Sequence, residues 1–283
     1  MSRPISVVVV TRGESVLLGR CVEAAADGTL APAEILVVDQ GRARGPLPPP
    51  ARRLHVEAMG VSRARNVGAR EAVGGLLAFT DDDCVPEPDW LAALARAVEE
   101  HDAIAATGRV LPLPDDRPGL VAVSSRTGTR VRVFAASGAP PPWEVGTGGN
   151  LLVDRETFLA VGGFDEVLGP GTRFPAAEDI DLLERLLATG GRIVYTPEAV
   201  VLHEMKTARG RLKRRLPYGY GLGAAVGRAP RHRRVLLVRR FAAMQVRMAA
   251  SGARRLSPRR VIEPLLGLAG FAAGLAAVRL RRR

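Results

Sequence analysis

Three consecutive carboxylates, Asp81-Asp82-Asp83, end an apolar run over residues 75–80, and a second acidic pair, Glu178-Asp179, opens a segment of helical periodicity. Neighbouring carboxylates repel, so a cation or a set of hydrogen-bond donors must compensate them. Mg²⁺ and Mn²⁺ do this with oxygen ligands, bridging protein carboxylates to substrate phosphates. A solvated acidic turn capping the next helix is the alternative, and this segment alone does not separate the two. The second pair has an ordinary explanation too, because acids in a first helical turn complement the helix dipole by about 0.3–1 kcal/mol each. Its company points to chemistry: Gly148-Gly149-Asn150 and Gly162-Gly163-Phe164-Asp165-Glu166 precede it, and His203 follows. Glycines gather where backbone approaches a ligand closely, and a carboxylate facing such a loop suits a general base.

The elements that must hold these groups read as an α/β fold. Residues 5–10 and 34–39 are almost continuous apolar runs, as expected of strands in a parallel sheet covered on both faces. A helix over residues 15–26 joins them. A third strand is expected at 53–58, a helix capped by Ser62 at 62–73, and a fourth strand at 75–80. That βαβαβαβ order puts the three aspartates at a strand's carboxyl end, where open α/β sheets bind ligands. A helix is expected over 86–100, a mobile Pro/Gly/Ser-rich loop within 111–142, a helix over 178–188, and a strand pair at 192–195 and 199–203. Trp90 and Cys84 read as core residues. Trp143 either stacks on a bound ligand or anchors its loop.

In order along the chain, residues 5–11, ILVVDQG (35–41), GVSRARNVGA (60–69), LAFTDDD (77–83), GGNLLV (148–153), VGGFDE (161–166), 178–190 and 195–203 resemble a family 2 glycosyltransferase. The likeness covers about residues 4–204. It implies a GT-A-type nucleotide-binding open sheet with helices on both faces, and an inverting sugar transfer from a nucleotide-sugar to a hydroxyl. The nucleotide-binding half would be about 1–110 and the acceptor-side half about 111–204. By the resemblance, Asp81-Asp82-Asp83 match the DXD motif, with Asp83 and His203 at a Mn²⁺ or Mg²⁺ ion and Asp82 nearer the ribose. Thr11, Asp39 and Arg65 would contact the nucleotide, and Asp179 of the ED motif would be the catalytic base. Trp143, Gly149, Asn150 and Glu178 would lie on the acceptor side. Two departures leave the nucleotide's identity open: Arg12-Gly13 follow Thr11 where the family usually has an aromatic and Asn, and the second strand ends Asp39-Gln40-Gly41. A fold-retaining binding protein and a nucleotidyltransferase are the alternatives, although the intact acidic clusters disfavour the first. No GxxxxGK[ST] phosphate loop is present.

Charge divides the chain in a way that bears on partners. The net charge is +12, but residues 204–283 hold 21 Lys and Arg against Glu204 and Glu263, a balance of +19. Residues 1–203 therefore hold 20 bases against 27 acids, a balance of −7. The region 205–283 is expected to form two or three helices broken near Pro230 and Pro258. Its arginines alternate with apolar residues, and residues 264–278 are uncharged; fifteen residues fall short of the ~20 a membrane-spanning helix needs. An anionic membrane surface, with no nucleic acid partner, is the expectation, against the alternative that the helices simply pack on the catalytic domain. Basic flanks, including residues 279–283, favour the inner face. A saccharide or lipid-linked acceptor would be met there. Gly270 and Gly274 form a GxxxG that reads as chance in so Gly/Ala-rich a segment. Cys21 and Cys84 lie far apart without CxxC spacing, and the apolar run at residues 5–10 is too short for a signal peptide, so a cytoplasmic setting is expected.

Overall fold

Apolar runs without a polar face fold where both faces are covered, and ISVVVVT forms β1 (Ile5–Thr11) with every residue buried. This computed structural model describes residues 3–13, 15–41, 46–57, 59–136 and 140–279. After β1 come α1 (Leu18–Ala26), β2 (Glu34–Asp39), β3 (Ala51–His55), α2 (Val61–Glu71), β4 (Leu76–Asp81), β5 (Cys84–Pro86) and α3 (Trp90–Glu100). There follow β6 (Ala105–Pro112), β7 (Leu120–Val121), β8 (Arg132–Phe134), β9 (Asn150–Asp154), α4 (Arg155–Ala160), α5 (Glu178–Ala188), β10 (Ile193–His203) and β11 (Lys206–Thr207). Three helices close the chain: α6 (Ala208–Arg228), α7 (Arg231–Arg254) and α8 (Pro258–Arg279).

The main sheet has the strand order β3-β2-β1-β4-β9-β6-β10-β5, with β8 also on β10. β1 to β4 run parallel, as the βαβ reading requires. β9 then enters antiparallel between β4 and β6. Cys21, Val22, Trp90 and Leu94 cover one face of the sheet, and Phe79, Phe158, Phe164, Leu182 and Leu186 pack on the other. The result is a mixed open sheet with helices on both faces.

Several expected boundaries move for local reasons. The third strand is Ala51–His55, because its register with β2 ends at the Asp39–His55 pair; Ala58, in the expected range, lies outside the described residues. Ser62 does not cap α2: its hydroxyl donates to the Leu168 carbonyl at 2.6 Å, and Gly60, at φ 128°, takes the cap position. The helix expected from residue 86 starts at Trp90, since Cys84–Pro86 pairs antiparallel with β10. The two strands expected at 192–203 are one, β10, whose pairing with β6 shifts between Thr196 and Val200. The 113–142 stretch contains β7, β8 and the start of a 3₁₀ turn at Pro142–Glu144.

The tail is three helices breaking where the prolines predict. The GxxxG expected to be accidental is a packing seam. A Cβ on Gly270 or Gly274 would overlap the Leu216 or Tyr220 carbonyl of α6, and one on Gly219 or Gly223 would overlap the Gly267 or Phe271 carbonyl of α8. Small residues thus let α6 and α8 touch backbone to backbone. Phe241 stacks on Phe271 at 4.3 Å, and Trp143 meets Phe241 edge-on at 5.8 Å. Residues 258–278 form a continuous 21-residue helix containing an 18-residue window of mean hydropathy 1.9, so by length and composition alone it is long enough to cross a membrane. The fifteen uncharged residues read from the sequence are the greater part of this helix, whose first turns add Arg259, Arg260 and Glu263. Of the expected basic flank, residues 280–283 lie outside the described residues.

Candidate active site

Strand register brings the donor-side residues to one edge. Thr11 pairs with Asp39, and Val10 with Asp81, so the carboxyl ends of β1, β2 and β4 stand side by side. The Thr11 hydroxyl donates to Asp82 at 2.6 Å. Burial pushes the Asp82 carboxyl up to about 6, with the Thr11 bond opposing it and the Asp83 and Asp81 charges adding to it. Asp39 is spent internally: its carboxylate accepts from the Gly41 N–H at 2.8 Å and from Arg53 at 2.7 Å, leaving it a buried wall of the edge.

Arg65 corrects another expectation. It does not offer a free guanidinium to a nucleotide; buried on α2, it donates to Asp81 at 2.6 Å and to Glu178 at 3.1 Å, and lies 5.1 Å above the Phe164 ring. One planar fork thereby ties the donor-side acids to the helix bearing the second acidic pair. Burial lowers its affinity for a proton, but the Asp81 and Glu178 charges outweigh that and leave its pKa raised. Glu178 is itself buried, and burial together with the Asp179 charge holds its carboxyl well above the usual range despite Arg65.

Ala177 enters α5 in the left-handed region, at φ 71°, a strained conformation for a residue with a side chain. Asp179 follows, and both its oxygens are held: Oδ2 by the Gly148 N–H at 3.0 Å and Oδ1 by the Ile180 N–H at 2.8 Å. Gly148 and Gly149 are glycines because of close approach. A Cβ on Gly148 would sit 3.0 Å from Arg65 and 3.2 Å from the Asp179 side chain, and one on Gly149 would sit 2.6 Å from Asp81 Oδ2. The Gly148-Gly149 backbone is therefore the partition between Asp81 and Asp179.

Asn150 and Trp143 do not face that space. The Asn150 amide is consumed in the sheet, donating to the Arg109 and Ala199 carbonyls at 2.8 and 3.0 Å and accepting from the Trp90 indole at 2.9 Å. Trp143 is buried among Val226, Leu237, Phe241 and Phe271, so it anchors its loop to the tail. Cys84 is buried and burial drives its thiol pKa up, which makes it a packing residue as expected.

Asp83 and His203 are brought together, with the ring Nε2 3.6 Å from the carboxylate. The His203 Nδ1 lies 2.8 Å from the Glu204 carbonyl, which can only accept, so Nδ1 carries the proton. Nε2 faces the Asp83 carboxylate, so the two ligand atoms are placed to share a cation. Lys206 supplies one charge there. Its ammonium is 3.0 Å from Asp83 and also pairs with Glu204. Sequence reading missed Lys206; the signal for it was that it is one of only two lysines in an arginine-rich chain. It also missed Arg109 and Arg126, whose guanidinium Nε atoms are buried without a hydrogen-bond partner among the described residues.

Two family models match, "Glycosyl transferase family 2" over residues 6–132 and "Glycosyl transferase family group 2" over residues 76–277. A glucosyl-dolichyl phosphate glucuronosyltransferase of Haloferax volcanii is 30% identical over 162 residues, covering 53% of this chain and 49% of the relative. The chain spans about half or less of the length of the curated relatives it matches. Among solved structures, S. aureus TarS 1–349 in complex with UDP-GlcNAc aligns with a TM-score of 0.60 at 13% identity, over 98% of this chain and 92% of that one. GalNAc-T7 with UDP, GalNAc and Mn²⁺ aligns with a TM-score of 0.53 at 19% identity, over 71% and 43%. Both likenesses concern the fold.

Proposed function

The chain belongs to glycosyltransferase family 2, and from that premise we propose that it transfers a sugar from a nucleotide-sugar to a hydroxyl with inversion, with Asp179 as the base. The observation that carries this reading is the Arg65 brace, which sets Asp81 and the Glu178-Asp179 turn on either side of one glycine partition. Asp179 has both oxygens oriented by backbone N–H groups and retains lone pairs for the acceptor. It takes the acceptor hydroxyl's proton as that oxygen bonds to the anomeric carbon. The bond from that carbon to the diphosphate oxygen breaks, and the leaving group departs with the electron pair. A single displacement inverts the centre, so no nucleophilic carboxylate is needed.

Asp83 and His203 fit a divalent cation by donor type and by proximity, their ligand atoms lying, with that of Cys84, within 4.8 Å of one another, and Mn²⁺ or Mg²⁺ held there would neutralise charge on the departing diphosphate. Lys206 adds positive charge at the same place. Thr11 and Asp82 shape the ribose side, with Asp39 behind them.

The tail supports work at the inner face of a membrane, on a lipid-linked acceptor of cell-envelope, glycolipid or polysaccharide synthesis. On α7, Val235, Leu236, Val246 and Met248 are exposed between Arg239, Arg240 and Arg247, and Ile262 and Leu265 of α8 are exposed as well. Apolar residues alternating with arginine suit an interfacial helix on anionic lipid. The name of the Haloferax relative gives it a dolichyl-phosphate-linked glucosyl substrate, which fits the same setting.

Hydrolysis of a nucleotide-sugar panel with Mn²⁺ or Mg²⁺ tests the chemistry. We expect Asp179→Asn and Asp83→Ala each to lose turnover, the second with loss of metal-dependent donor binding; wild-type rates in Asp179→Asn would place the base elsewhere. For the membrane, Leu236→Glu with Val246→Glu should abolish the preference for anionic over neutral vesicles in co-sedimentation. Equal binding of wild type to both vesicles would sink that part.

A further inference from the structure

Two half-buried arginines near the base lack an anion. Arg109 and Arg126 form no ion pair among the described residues, and the Nε of each is buried with no hydrogen-bond partner there. Three other buried charges among the described residues each have an opposite charge beside them. Arg65 has two carboxylates, Glu263 has three arginines, and Asp39 has Arg53. A guanidinium with a buried, unpaired Nε and no carboxylate beside it is a place where a ligand can supply the missing partner.

The placement of the pair says which ligand. Arg109 is on β6 two residues after Thr107, so by strand alternation the two share a face, and the Thr107 hydroxyl donates to the Val145 carbonyl at 2.7 Å. Arg126 reaches the same segment from the 113–131 loop, donating to the Trp143 carbonyl and, at 3.2 Å, to the Gly146 carbonyl. Mutual backbone hydrogen bonds between Val110 and Arg126, at 3.0 and 2.9 Å, fix that loop beside Arg109. Two residues beyond Gly146 is Gly148, whose N–H holds Asp179. Burial pushes the Arg126 guanidinium down, and Asp179 is the carboxylate that most supports its charge, ahead of the exposed Glu144. Tyr195 lies against both arginines but compensates neither, because its hydroxyl donates to the Gly128 carbonyl at 2.9 Å. Arg126 therefore sits against the segment that carries Gly148, with Arg109 beside it on the neighbouring strand.

We propose that Arg109 and Arg126 form an anion subsite on the acceptor side of Asp179 that binds a phosphate carried by the acceptor. The inference rests on the reading of Asp179 as the base. A guanidinium fork matches phosphate oxygens in geometry and keeps its charge when buried, which a pair of lysines would do less well. A neutral acceptor would leave both charges unanswered when it closed the site, so the pair also discriminates between acceptors.

Calorimetric titration of the full-length protein tests this, with pyrophosphate and Mn²⁺ present to fill the donor side. The probes are glucose 1-phosphate, dodecyl phosphate and dodecyl β-glucoside. Wild type is expected to bind the phosphate-bearing probes at least tenfold tighter than the neutral glucoside. Arg109→Gln should lose severalfold of that preference and the double variant with Arg126→Gln should lose all of it, while Arg130→Gln, an exposed change in the same loop, should retain it. Arg109 makes no side-chain hydrogen bond among the described residues, so its effect cannot come from a loosened loop. Binding of glucose 1-phosphate without dodecyl phosphate assigns the phosphate to a soluble sugar phosphate, and binding of dodecyl phosphate assigns it to a lipid. Absence of a phosphate preference in wild type, or its survival in the double variant, overturns the proposal. Donor hydrolysis by wild type, measured alongside, keeps the two questions apart: hydrolysis without phosphate preference removes the subsite and leaves the glycosyl-transfer reading standing.

Discussion

Two buried charge centres hold this molecule together with opposite arithmetic. In the cleft, one cation, Arg65, is shared by Asp81 and Glu178, with Asp179 next to them. In the tail, one anion, Glu263 of α8, is shared by Arg211 and Arg215 of α6 and by Arg259 one turn before it. The tail centre has an excess of ligands for its charge: burial pushes the Glu263 carboxyl up, but the bonds from Arg259 and Arg215 and the Arg211 charge outweigh that and leave it lowered. The cleft centre has a deficit, and Glu178 is left raised. Over-compensation suits a clamp that only has to hold two helices. Under-compensation suits a site that must accept a cation and a proton during a reaction.

Breaking the shared cation should have the largest effect. Arg65→Met leaves Asp81 and Glu178 facing each other in a buried space, and removing one partner from a buried pair costs about 3–5 kcal/mol. Thermal and urea unfolding should show that loss together with abolished donor hydrolysis. Undiminished stability would mean that water, not Arg65, carries the compensation.

Asp179→Asn sharpens the comparison by removing charge from the deficient side. Turnover should fall by roughly 10²- to 10⁴-fold, the usual scale for losing a general base. Stability should change little, because removing a negative charge next to raised Glu178 offsets the loss of one of the two acceptors that Asp179 offers to the Gly148 and Ile180 N–H groups. A fall in melting temperature of the size expected for Arg65→Met would assign Asp179 to the scaffold.

The same contrast explains what could be read in advance. The parallel strands and the acids at their ends were legible because β-branched runs and carboxyl-end placement are local features of sequence. The roles of Arg65 and Asp39 were not, since each depends on a partner from another element: Glu178 lies 113 positions from Arg65, and Arg53 binds Asp39 only through the β2–β3 register. Asn150 looked free to meet a ligand because the glycines before it are loop-like, yet β9 begins at that residue and turns its amide into the sheet. Gly270 and Gly274 looked accidental because the matching small residues, Gly219 and Gly223, are about fifty positions earlier, beyond any single-helix pattern. Trp143 needed the tail's aromatic cluster to be placed at all.

In the tail, Glu263→Gln should cost about 1–3 kcal/mol at neutral pH, since three arginines lose their charged partner while the amide keeps one acceptor. Its pKa is lowered in the folded state, so its contribution is present above the ordinary carboxylate range and lost as pH falls through the folded value. The gap in melting temperature between variant and wild type should therefore close on acidification. A gap that persists at low pH would make Glu263 a packing residue whose charge is incidental.

Glu178 should show the opposite slope and the smallest effect. A carboxyl whose folded pKa is raised contributes stability below its unfolded value, and that contribution is lost as pH rises through the folded one. Wild type should thus lose roughly 1 kcal/mol of stability between about pH 5 and neutrality, a loss that Glu178→Gln does not show. The amide can still accept from Arg65, so the variant is expected to keep the brace and gain stability at neutral pH. If wild type and Glu178→Gln instead both lose stability as pH falls, the cleft is as fully compensated as the tail.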